Sequence, residues 1–219
     1  MSISLDEAVE LTRTGDLWVF RGRSVPDRAI QLTTNSPVNH VGMAVVLDDM
    51  PPLLWHAELG RSLPDLWTGT HQRGVQLHDL RDAVGIWANR YGQRGWLRQL
   101  EPPADGEMER SVLRTIARLD GTPFPSTAQL AWRWLRGRVP SPRLPLPTPR
   151  RRVPAAQDLA LETAYCAEVV AVTYEAMGLL PAGRRPNWYD PGRFWSGDDL
   201  ELHGGARLGS EIEVRIPPR

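Results

Sequence analysis

The sequence predicts an α+β protein, with an antiparallel sheet or small barrel packed against a few helices. Short apolar and β-branched runs at 17–20, 40–47, 53–59 and 74–80 follow one another with turn residues between them. Helical periodicity is clearest at 105–119 and returns after Cys166. With 41% hydrophobic and 24% charged residues, the chain can bury an ordinary core.

In chain order, Ser4 to Thr12 reads as a short helix with Leu5, Ala8, Val9 and Leu11 inward. Gly15-Asp16 is a turn into the strand Leu17-Trp18-Val19-Phe20, and Asp27 to Thr34 reads as one or two helical turns. Asn35 to Asn39 is a polar turn leading into a core strand, 40–47, with His40 at its start. Residues 48–52 connect to a partner strand, 53–59, where alternation puts His56 and Glu58 on one face. Gly74 to Leu80 is a third strand and Ile86 to Arg90 a fourth.

Asp105 caps a helix to Leu119 with Met108, Val112, Leu113 and Ile116 on its apolar stripe. Ser126 to Trp134 reads as a further helix. Residues 133–154 hold seven arginines, six prolines and no acid, an extended basic insertion in a single domain spanning 1–219. Thr163 can cap a helix that carries Cys166 in its first turn and stops at Gly178. A Trp-, Pro- and Gly-rich loop at 186–199 precedes a closing strand at 211–216.

Charge and cysteine content exclude several functions. Twenty-six basic residues, all arginine, balance 26 acidic ones, so net charge does not indicate a nucleic-acid binder. One cysteine allows no internal disulfide and no cysteine-built metal cage. The first residues lack the basic start and apolar core of a signal peptide, and no run of about 18 apolar residues exists. These features predict a cytoplasmic protein that needs no cofactor.

His56-Ala57-Glu58 has the His-x-Glu of zinc deaminases, but the Cys-x-x-Cys that completes their metal site is missing. The remaining constellation is a thiol and imidazoles. Cys166 at a helix start would have its thiolate favoured by the positive end of the helix dipole. His40 at a strand start, beside His56 or Glu58 on the next strand, offers a base and a group to orient it. A helix packed on that sheet could aim Cys166 at His40. His71, His78 and His203 are less well placed, in a loop, inside a later strand and beside a glycine pair. The alternative for Cys166 is a buried structural cysteine.

Three motifs then suggest a family. Gly15-Asp16-Leu17-Trp18 resembles a Gly-Asp-hydrophobic opening strand, and Ser36-Pro37-Val38-Asn39-His40-Val41-Gly42 a Ser-x-x-x-His-hydrophobic-Gly strand. Tyr165-Cys166-Ala167-Glu168-Val169-Val170, followed by Gly178-Leu179, resembles a Cys-[Ser/Ala]-Glu helix. Pro186-Asn187-Trp188-Tyr189-Asp190-Pro191-Gly192 echoes a late aromatic-Pro-Gly pattern. Together they resemble the YiiX/YaeF-like group of circularly permuted NlpC-type cysteine peptidases, relatives of papain and of lecithin:retinol acyltransferase. Histidine ahead of cysteine is the order of the permuted branch.

The resemblance implies a permuted papain-like domain with Cys166 as nucleophile and His40 as general base. His56 is then the orienting residue, with Glu58 in reserve. Asn39 and Tyr165, next to base and nucleophile in sequence, are the candidate oxyanion or substrate contacts. The implied activity is thiol hydrolysis of an amide, ester or thioester through a thioester acyl-enzyme, as a peptidase or amidase. Acyl transfer to a lipid would use the same intermediate, and a non-catalytic module would keep only the groove. The partner is then a small-molecule, peptide or lipid acyl substrate. The arginines of 133–154 would suit peripheral contact with anionic membrane.

Overall fold

The computed structural model describes residues 2–23, 36–121, 155–182, 189–198 and 200–218, with side chains left aside at 155–164 and at 198. In chain order the elements are β1 (Ser2–Ser4), α1 (Leu5–Leu11), β2 (Leu17–Arg21), β3 (His40–Val45), β4 (Leu53–Glu58) and β5 (Gly74–Asp79). There follow α2 (Leu80–Asn89), β6 (Arg94–Arg98), β7 (Leu100–Glu101), α3 (Gly106–Leu119), α4 (Ala155–Ala176), β8 (Arg207–Leu208) and β9 (Ile212–Arg215).

Seven strands form one sheet in the order β1-β9-β6-β2-β3-β4-β5. Every pair is antiparallel except β1 with β9. The sheet is covered on both faces, and strand alternation decides which residues meet which layer. Leu17, Val19, Val41, Met43, Leu53, Trp55 and Leu77 share a core with Val112 and Ile116 of α3 and with Val170 and Tyr174 of α4. The Trp55 indole N–H donates to Thr173 Oγ1 at 3.1 Å, fixing α4 on this side. Trp18, Phe20, Ala44, Leu54 and Leu97 point the other way, onto Leu5 and Ala8 of α1 and Leu80, Val84 and Trp87 of α2.

The expected α+β class and antiparallel sheet are present. Ser4 caps α1 in a capping box with Glu7, and Asp105 caps α3 through the N–H groups of Glu107 and Met108. Leu11, expected inward, is instead exposed.

Residues 86–90 are not a strand but the end of α2. Asp79 accepts from the Asp82 N–H and starts the helix, and Leu80, Ala83, Val84 and Trp87 bury one helical face. The strand that β2 pairs with on that side is β6, at Arg94–Arg98. The expected elements at 27–34 and 126–134, the insertion at 133–154 and residues 186–188 lie outside the described residues.

The Gly15-Asp16 motif works as a tie. Asp16 is fully buried, accepts from the Leu100 N–H at 2.8 Å, and is held up at about 6 by desolvation. Tyr174 on α4 donates its hydroxyl to the Gly15 carbonyl at 2.6 Å. The strand opening is thereby fastened to the cysteine helix.

Candidate functional site

His40 on β3, His56 on β4 and His78 on β5 form one hydrogen-bonded row. His40 Nε2 lies 2.9 Å from His56 Nδ1, and His56 Nε2 lies 2.9 Å from His78 Nδ1. His78 Nε2 lies 3.2 Å from Gln76 Oε1. All four side chains point to the α2 face and are buried. Trp87 of α2 stacks on His40 with 3.9 Å between ring centroids. Gly42, on the same face of β3, gives His56 room. A Cβ there would meet a Leu54 methyl at 2.7 Å and His56 Cβ at 3.2 Å.

The end of the row sets its proton order. Gln76 Nε2 donates to the Gln72 carbonyl at 2.8 Å, with the Glu58 and Gly74 carbonyls at 3.4 Å. Its Oε1 is therefore the atom facing His78, and an amide oxygen only accepts. His78 must carry its proton on Nε2 and accept at Nδ1. His56 then donates from Nε2 and accepts at Nδ1, and His40 donates from Nε2. The last nitrogen, His40 Nδ1, is left with a bare lone pair. It is buried and has no hydrogen-bond partner among the described residues.

Desolvation keeps the three rings neutral. Burial lowers His40 to about 3, helped by the charge His78 would carry, and lowers His78 to about 4. His56 is pushed well below its ordinary value, again chiefly by burial. Neutral rings are the state the row requires, one proton per ring.

The other expected site residues divide. His56, not Glu58, contacts His40. Glu58 accepts from the Ser62 N–H and hydroxyl, and desolvation raises its pKa. Asn39 is buried and its Oδ1 accepts from the Gly22 N–H at 2.7 Å. Tyr165 is a buried member of the α4-side core.

Cys166 differs from expectation in two respects. α4 begins at Ala155, so Thr163 is not a cap and Cys166 lies mid-helix. A mid-helix N–H is used by the carbonyl four residues earlier, so neither the dipole end nor free N–H groups serve this thiol. Moreover, Cys166 is fully buried on the α4 side of the sheet, in one core with Val41, Met43 and Trp55. His40 projects to the opposite side. The structure brings His40 and His56 together and leaves Cys166 across the sheet from both.

Gln76 and His78 were missed as site residues. Alternation in Gly74-Val75-Gln76-Leu77-His78 does place them on one face, but whether that face meets the His56 face depends on strand pairing. Among the described residues, His56, Glu58 and His78 also form a group whose possible ligand atoms all lie within 4.8 Å of one another.

No family model matches the chain, and no curated protein matches it. Among solved structures it is similar to the crystal structure of metalloprotein yiiX from Escherichia coli O157:H7. The two share 22% identity with a TM-score of 0.45, over 75% of this chain and 65% of that one. The likeness is to a YiiX protein. This chain spans about 65% of that protein's length.

Proposed function

We propose that the protein is a thiol hydrolase of the permuted papain-like kind, acting on an amide, ester or thioester bond. The observation that carries the reading is the His40 Nδ1 lone pair, left bare by a proton order that Gln76 imposes through His78 and His56. A base with its ring held at the other nitrogen is what a thiol nucleophile requires. The sequence order, histidine before cysteine, supports Cys166 as that nucleophile.

The chemistry requires a state in which Cys166 Sγ and His40 Nδ1 meet, which α4 reaches only by leaving its packing on Val41, Met43 and Trp55. His40 Nδ1 takes the thiol proton, and Sγ attacks the carbonyl carbon. The oxyanion is held by side-chain donors, with Asn39 and Tyr165 as the candidate contacts. The tetrahedral adduct expels the amine, alcohol or thiol with the proton held by His40. Water, deprotonated by His40, then cleaves the thioester to release the acid and restore the thiol. With a lipid acceptor in place of water, the same thioester gives acyl transfer.

A second reading is favoured by the placement of Cys166 across the sheet: a binding module in which the thiol is a core residue. Intact-mass measurement after incubation with mixed peptide and lipid acyl donors separates the two. The thiol-hydrolase reading expects an acyl adduct on Cys166 that is absent from Cys166→Ala. Failure to trap any adduct, with iodoacetamide labelling only above about pH 8, returns Cys166 to an ordinary buried thiol. Salt-sensitive binding of 133–154 to anionic vesicles would favour the lipid substrate.

A further inference from the structure

We propose that His56, Glu58 and His78 form a binding site for a divalent transition-metal cation of the zinc type. His56 and Glu58 are two residues apart on β4 and share its α2 face, while His78 stands on β5 across from Leu54. All three are buried, and their donor atoms converge within 4.8 Å. Two imidazoles and one carboxylate are a donor set that zinc takes with a fourth position left to water or substrate.

A second observation points to a cation independently. The Glu58 carboxyl is withdrawn from water, and its hydrogen-bond donors are the Ser62 N–H and hydroxyl and the Arg61 N–H. His71 acts on it only through its charge, and no ion pair within 4 Å is formed among the described residues. Buried carboxylates are ordinarily paired with a cationic group or bound to a metal. Next to it, His56 Nε2 and His78 Nδ1 face each other at 2.9 Å, a contact that holds one proton or can be given up to an ion.

The site does not depend on Cys166 or on acyl chemistry. It does compete with the hydrogen-bonded row, because His56 Nε2 cannot donate to His78 while it binds a cation. Metal-bound and relay-forming states of His56 therefore exclude one another.

The test uses the full chain, stripped with chelator, titrated with zinc chloride and desalted before elemental analysis, with histidine ring nitrogens followed by ¹⁵N NMR. The expected result is one zinc per chain, with ring-nitrogen shifts at His56 and His78. Glu58→Gln, and separately His78→Asn, should weaken zinc binding by about ten-fold or more, judged on whichever variant melts cooperatively. His203→Asn, on an exposed turn beside Gly204, should bind as the parent does. Zinc retained undiminished by the variants, or no zinc retained by the folded parent chain, overturns the proposal. Because metal content is read without substrate, the site stands or falls separately from the thiol-hydrolase reading.

Discussion

The two faces of the sheet are built from the same strands and carry opposite chemistry. On the α4 side, Val41, Met43, Trp55 and Leu77 bury apolar surface against a helix, and the single cysteine sits within that packing. On the α2 side, the alternate positions of β3, β4 and β5 hold His40, His56, Glu58, Gln76 and His78, equally buried but hydrogen-bonded. An apolar face tolerates volume-conserving change. The polar face depends on each member satisfying the next, because an unpaired buried group costs its full desolvation. Both faces bury apolar surface, Trp18, Phe20 and Leu54 doing so on the α2 side, but the histidine row lies on that side alone.

The sharpest break of that comparison is a pair of substitutions, one per face. If the thiol-hydrolase reading holds, Cys166→Ala and His40→Gln each lower turnover by roughly 10³-fold or more while circular dichroism stays unchanged. Loss in the His40 variant alone would confine the chemistry to the α2 face. On the α4 face, Trp55→Ala should cost about 3–5 kcal/mol in urea unfolding, since it removes a buried indole, while the Thr173 hydroxyl keeps its bond to the Val169 carbonyl.

Gln76→Met removes the acceptor that orders the row. It should cost only about 1–2 kcal/mol in urea unfolding, but ¹⁵N NMR should find the ring protons redistributed among the tautomers. An unchanged tautomer pattern would mean that Gln76 does not set it.

The smallest effect is acid sensitivity. The unfolded chain protonates its histidines near 6.5, whereas the folded chain resists down to about 3 at His40 and about 4 at His78. As pH falls from about 6.5 toward 4, the unfolded state gains protons that the folded state does not, and stability drops. Asp16 and Asp120, both raised by burial to about 6, act oppositely over the same window. Glu58, also raised by burial, joins them, but the fall of three histidines, to about 3 at His40 and about 4 at His78, spans more of this window than the rise of the carboxyls. The urea midpoint of chelator-treated protein should fall on acidification, and fall less in His78→Asn.

Much of this was legible in the sequence. Short apolar and β-branched runs located β2 to β5, apolar spacing located α1, spacing with the Asp105 cap located α3, and alternation put His56 and Glu58 on one face. Ile86-Trp87-Ala88 was not legible, because a short apolar run suits a strand or a helix until its cap is recognised, and Asp79 supplies that cap. The placement of His78 beside His56 depends on the register of β4 against β5, which no local pattern states. The start of the cysteine helix was misplaced because Thr163 has a capping side chain but the helix continues N-terminal to it. Opposite orientations of His40 and Cys166 follow from alternation combined with which helix covers which face, a tertiary fact.

Gly42 carries no functional group, yet it sets the spacing of the whole row. Its missing side chain is the slot into which His56 and Leu54 close. A methyl group there would act as a wedge between β3 and β4, moving His56 away from His40. The glycine of the His-x-Gly motif is thus a spacer. Any attempt to transplant the histidine row into another sheet would have to carry that empty position along with the rings.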